Sequence, residues 1–124
     1  MYPPIFARIS ADAGVTALLG APPAVRFFLF GQAPQNVQKP YAVWRLAGGG
    51  APYNNLNCRP GGARYRIQID VYADSESSAR AVADAIEYAI ELDCHVASYN
   101  GEYRDPHTMN YRSSFDVTWI EQRP

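Results

Sequence analysis

The stretch from Arg64 to Glu91 constrains this chain most, because two different periods meet inside it. Tyr65, Ile67, Ile69 and Val71 alternate with Arg64, Arg66, Gln68, Asp70 and Tyr72. A period of two, rich in β-branched and aromatic residues, demands a strand with one buried face. The period then changes. Ala79, Val82, Ala83, Ile86, Ala89 and Ile90 recur at helical spacing, with Arg80, Asp84, Glu87 and Glu91 opposite them. Between the two patterns, Asp74-Ser75-Glu76-Ser77-Ser78 offers side-chain oxygens for the free N–H groups of a helix start. Glu76 precedes Arg80 by one helical turn, the favourable order for an ion pair. Glu87, Glu91 and Asp93 oppose the helix dipole at its far end. Propensity alone therefore does not hold this helix, and packing onto a sheet must.

The flanks extend the same logic. Residues 4–19 carry an apolar stripe of Ile5, Phe6 and Ile9, continued by Val15, Leu18 and Leu19. Pro4 suits a first helical position, and Asp12 before Ala13-Gly14-Val15 is a second N-cap, so two short helices are expected. Gly20 ends the second, and Pro22-Pro23 prevents its resumption. Val25–Phe30 is a first strand, and Tyr41–Leu46, introduced by Pro40, a second. Residues 47–63 are rich in Gly, Pro and Asn and are expected as one long, flexible loop. Cys94–Tyr99 is a weaker strand. Asn100-Gly101 is a hairpin signal, with Glu102-Tyr103-Arg104 returning. Tyr111–Glu121 closes the chain as a long strand. If the strands on either side of the main helix are parallel neighbours, their crossover should be right-handed. The expectation is a single α+β domain over residues 1–124. Its sheet of four to five strands is mostly antiparallel or mixed, with the long helix and the short N-terminal helices on one face.

Composition narrows the function. The chain has 124 residues, 48% hydrophobic and 19% charged, which provides for one core and excludes a disordered chain. A net charge of −1 gives no global basic field for nucleic acid. No apolar run reaches the roughly 20 residues needed to span a bilayer. Met1-Tyr2-Pro3-Pro4 lacks the basic and apolar regions of a signal peptide, so synthesis and folding in the cytoplasm are expected. Cys58 and Cys94 are read as free thiols in a reducing compartment. Nine tyrosines supply rigid contact area with a polar tip, which suits interfaces.

Catalytic and metal chemistry find little support. Cys58, Cys94, His95 and His107 have no CxxC or HxxxH spacing, and Cys94 and His95, adjacent on a strand, point to opposite faces. Cys58 with a histidine is conceivable as a nucleophile, but its glycine-rich surroundings hold geometry poorly. Gly48-Gly49-Gly50 lacks the GxxxxGK[ST] pattern and a following helix start. No cofactor, metal or catalytic residue is expected. Arg64, Arg66 and Tyr72, with Arg45 beside them, would suit single-stranded bases on a sheet, but Gln68 and Asp70 dilute that patch. What remains is a patterned polar sheet face, a long Gly/Asn/Tyr segment and abundant tyrosine, all fitting a protein that assembles.

Tyr2-Pro3-Pro4-Ile5-Phe6 with Ser10-Ala11-Asp12 and Val15–Gly20, then Phe30–Gln35, Pro40–Trp44, Tyr65–Ala73 with its Ser/Ala-rich helix, and Arg112–Val117 recur in a characteristic order. In that order they resemble the tail-completion or tail-terminator proteins of long-tailed bacteriophages and prophages. The resemblance covers nearly the whole chain, least in 47–63 and 95–110. It implies a structural virion protein, not an enzyme. It further implies a homo-oligomeric ring, commonly a hexamer, at the head-proximal end of the tail. Such a ring caps the tail tube protein, joins head-completion proteins and lets DNA pass through its lumen without specific binding. A cyclic ring needs two different patches on each subunit. The expected interface residues are Arg45, Tyr53, Asn54, Asn55, Arg59, Arg64, Arg66, Gln68 and Asp70. The alternatives are a head-completion or minor tail component of the same fold, a sheet-face module for single-stranded nucleic acid, and an enzyme using Cys58.

Overall fold

The computed structural model describes residues 4–49, 53–55, 58–106 and 108–122. Its elements run α1 (Ile5–Ala11), α2 (Ala13–Leu19), β1 (Phe27–Leu29), β2 (Tyr41–Gly49), β3 (Tyr53–Asn55), β4 (Cys58–Ala73), α3 (Glu76–Ile90), β5 (Cys94–Arg104) and β6 (Tyr111–Gln122). The main sheet has the order β1-β2-β4-β6-β5, and β3 pairs with β4 off this path. β1 runs parallel to β2, and every other pair is antiparallel. The α+β class holds, with a mixed sheet.

The helix boundaries follow the caps read from sequence. Asp12 accepts a hydrogen bond from the Val15 N–H at 3.1 Å and starts α2 while the chain turns out of α1. The Ser75 hydroxyl accepts from the Ser78 N–H at 3.2 Å and starts α3. Gly20 ends α2 at φ 100°, and a Cβ there would lie 2.9 Å from the Ala24 carbonyl oxygen, so only glycine fits.

One core joins the three helices to one face of the sheet. Ile5 and Ile9 of α1, Val15 and Leu19 of α2, and Val82, Ile86 and Ile90 of α3 are buried in it. They meet Trp44 of β2, Ile67, Ile69 and Val71 of β4, and Phe115, Val117 and Trp119 of β6. Register aligns these residues: Trp44, Ile69 and Phe115 are cross-strand neighbours, as are Ile67 and Val117. Phe6, expected in the apolar stripe, is 47% exposed. It lies about 100° around the helix from Ile5, off the buried line.

Other expectations are corrected as well. Asn100-Gly101 makes no hairpin: β5 is one strand, and its register with β6 shifts between Tyr99 and Gly101. Gly101, at φ 104°, gives a bulge where a turn was read, since both need positive φ. The β5–β6 hairpin closes instead at 105–110, where the Asp105 N–H donates to the Asn110 carbonyl at 2.8 Å. Residues 47–63 are not one irregular loop. Residues 47–49 continue β2, 53–55 are β3, and 58–63 begin β4, while 50–52 and 56–57 lie outside the described residues. The condition set for a right-handed crossover is not met, because β6 lies between β4 and β5. Arg80 does not turn to Glu76. It forks onto Glu102 of β5, with Nε 2.9 Å from Oε2 and Nη2 3.2 Å from Oε1. The acidic end of α3 is likewise tied elsewhere: the Arg8 Nε donates to Asp93 at 3.0 Å.

Candidate assembly surface

All helices cover one face of the sheet, so the other face is left to polar side chains. Its middle carries two bonded groups side by side. The Arg45 Nη2 donates to the Gln68 Oε1 at 2.6 Å, and the Gln68 Nε2 donates to the Asp70 Oδ1 at 3.2 Å. Asp70 pairs with the Arg112 Nη2 at 3.0 Å. One strand over, the Arg66 Nε donates to the Asp116 Oδ2 at 3.1 Å. The Asn100 amide donates to the Asp116 Oδ1 at 2.8 Å and to the Ser114 hydroxyl at 3.3 Å. The two carboxylates are largely buried, with side chains 14% and 13% exposed, and each meets an arginine and an amide. Ring by ring, that is how partly buried charge is kept satisfied.

Aromatic residues flank the network. Tyr41 and Tyr72 stack with centroids 5.1 Å apart, and Phe28 meets Tyr41 edge-on at 6.4 Å. The Arg112 guanidinium lies 5.9 Å from the Tyr72 ring and 5.2 Å from the Tyr103 ring, and bonds the Tyr103 hydroxyl. Burial pushes the Tyr41 and Tyr72 phenols above their ordinary value. Burial works to lower the Arg112 pKa, but the bonds to Asp70 and Tyr103 carry it upward overall. These groups are thus held in one protonation state near neutrality, which suits fixed contact and not proton transfer.

The expected interface residues divide accordingly. Arg45, Gln68 and Asp70 come together directly. Arg66 lies on the same face and pairs instead with Asp116, opposite Gln68 in register, and Arg64 is exposed two residues earlier. Tyr53, Asn54 and Asn55 lie on β3, and Arg59 on β4, but their side chains lie outside the description. Sequence reasoning missed Arg112, Asp116, Asn100 and Ser114 as partners. The alternation of β6 carried the signal, but assigning it needed the β4–β6 register, Asp70 opposite Ser114 and Gln68 opposite Asp116.

On the helix side, a groove of about 350 Å³ runs between α3 and β5, lined by Arg80, Asp84, Glu87, Tyr99, Glu102 and Phe115 among others. The Tyr99 hydroxyl donates to Glu87 at 2.8 Å, and this bond pushes its phenol upward. Cys94 and His95 do lie on opposite faces, beside Trp119 and Thr118. The Cys94 thiol donates to the Ile90 carbonyl at 3.3 Å, and burial pushes its pKa up to about 12. A thiol so held is not a nucleophile at neutral pH. The side chains of Cys58 and His107 lie outside the description. Among the described residues, no group of three potential ligands gathers for a metal ion, and no helix is long and apolar enough to cross a membrane.

Comparisons with known proteins bear on the fold and the family. No curated protein sequence matches the chain. A chain in the virion of a native gene transfer agent (GTA) particle shares the fold, with a TM-score of 0.68 and 17% identity over 96% of this chain and 92% of that one. A family model described as tail completion protein gp17 matches residues 3–122. The chain belongs to this tail completion family and is a structural component of the phage-type virion tail.

Proposed function

We propose that the protein is a ring-forming subunit that ends the tail tube at its head-proximal side and presents a surface to head-completion proteins. The observation that carries this reading is the uncovered sheet face. Six charged or amide side chains are already bonded there in two groups, Arg45–Gln68–Asp70–Arg112 and Arg66–Asp116, and among the described residues no helix lies over them. Side chains fixed before a partner arrives lose less entropy on binding. Arg45, Arg64, Arg66, Gln68 and Asp70, with Tyr53, Asn54, Asn55 and Arg59 of the β3–β4 segment, form the contact set toward other subunits or the tube. A hexamer is the expected ring. A net charge of −1 suits a lumen through which DNA slides, since many phosphate contacts would arrest it. The work in this reading is assembly, in keeping with a family described by tail completion.

The test is mass by light scattering at several concentrations, with negative-stain images with and without purified tail tubes. Rings, free or on tube ends, are expected. A monomer that ignores tubes and binds oligonucleotides with a steep salt slope would replace this reading by a nucleic-acid module.

A further inference from the structure

The sheet is open at β5. That strand pairs with β6 on one side and, among the described residues, with nothing on the other. A row of free N–H and C=O groups is a template for another strand. Register shifts between Val96 and Ser98 and between Tyr99 and Gly101 bend this edge. Such bulges blunt indiscriminate pairing and leave the choice of partner to side chains. The side chains here are acidic and aromatic. The groove toward α3 holds Asp84, Glu87 and Glu102, and its one lining cation, Arg80, is already forked onto Glu102. Tyr99 lines it too, 70% exposed.

The other side of the sheet carries the complement. β3 pairs with β4 at Tyr53–Gly62 and Asn55–Cys58. The pairing of β6 with β4 starts only at Gly62, and that of β2 at Tyr65. Among the described residues, the first residues of β4 therefore have ladder partners only in β3. This hairpin too has open edges. Residues 47–64 include Arg59 and Arg64 and contain no Asp or Glu.

We propose that the β3–β4 hairpin of one copy adds to the β5 edge of the next, placing its arginines at the acidic groove between α3 and β5. The inference rests on the ring reading and names the contact that would build the ring. Hairpin and β5 edge lie on opposite sides of β4 in the sheet order. The interface is thus head-to-tail, joining unlike patches, and repeats around a closed ring. Backbone bonds supply the contact, and opposite charge fixes direction and register.

The test uses Asp84→Lys, Arg59→Glu and the double reversal in the full chain, read by light scattering and by ring counts on tail-tube ends. Asp84 is exposed on α3, outside the core, and melting midpoints near wild type will show that each variant folds. Each single reversal should raise the concentration for half-assembly by about tenfold or more, as like charges meet across the interface. The double reversal should return to within about threefold of wild type on the same scale. Single variants that assemble like wild type would overturn this contact and leave the ring reading standing. So would a double variant no better than the worse single. A wild-type protein that stays monomeric, alone and with tubes, would overturn the ring reading itself and this contact with it.

Discussion

The two faces of the sheet are made by the same strands and are stabilised in opposite ways. On the helix side, Ile67, Ile69, Val71, Phe115, Val117 and Trp119 are buried and specify little beyond shape. On the other side, their immediate neighbours Arg66, Gln68, Asp70, Arg112, Ser114 and Asp116 are tied by directed bonds. The difference teaches where stability and recognition reside. Apolar burial is worth about 25 cal/mol per Å² and is indifferent to direction. Bonded polar groups at a surface add little net stability but fix a pattern that a partner can read.

Core truncation should have the largest effect. Ile86 is fully buried where α3 meets the sheet, and Ile86→Ala should cost roughly 2–5 kcal/mol in a denaturant titration. An unchanged midpoint would remove the helix-side half of the comparison. Next in size are the caps. Ser75→Ala should cost about 1 kcal/mol, because it orphans the Ser78 N–H that starts α3. On the outer face, Asp116→Ala releases Arg66 and Asn100 to solvent. It should cost about 1 kcal/mol or less in folding, while lowering ring yield on tube ends. A loss as large as that of Ile86→Ala would show that the polar face holds the fold and break the comparison. The exposed fork matters least: Arg80→Ala should move the midpoint of the same titration less than any of these variants, because the pair is open to solvent.

A pH experiment sharpens the same contrast. Cys94 packs on the helix side, and burial raises its pKa from 9.0 to about 12. A pKa raised by folding means that the unfolded chain loses the proton first. The thiol's contribution is therefore complete below about pH 9 and is lost as pH rises toward 12. The denaturation midpoint of wild type should fall more steeply over that window than that of Cys94→Ala. Parallel curves would mean that the thiol is solvated in the folded state.

Much of the fold was legible because its signals are local. Asp12 and Ser75 cap the helices that their neighbours' spacing requires, and the change of period at Asp74 marks the end of β4. Asn100-Gly101 was misread because one dipeptide satisfies both a turn and a bulge. Which of them forms depends on whether β6, not yet written in the chain, takes the pairing. The glycine- and asparagine-rich 47–63 was misread for a similar reason. Weak strand propensity is overridden where a ladder partner is present, as β3 and β4 are for each other. Of the candidate interface, Arg45, Gln68 and Asp70 could be placed on one face by alternation, but Arg112 and Asp116 could not be assigned to them.

Sequence by itself determined the α+β class, the buried faces of β4, β6 and α3 and the helix starts, because each depends on residues within a few positions of one another. Tertiary structure decided the strand order, with β6 between β4 and β5, and which charges meet across the outer face. Those contacts join residues tens of positions apart, such as Arg66 and Asp116. Local chemistry cannot choose among such distant partners, and only the register imposed by the packed core does.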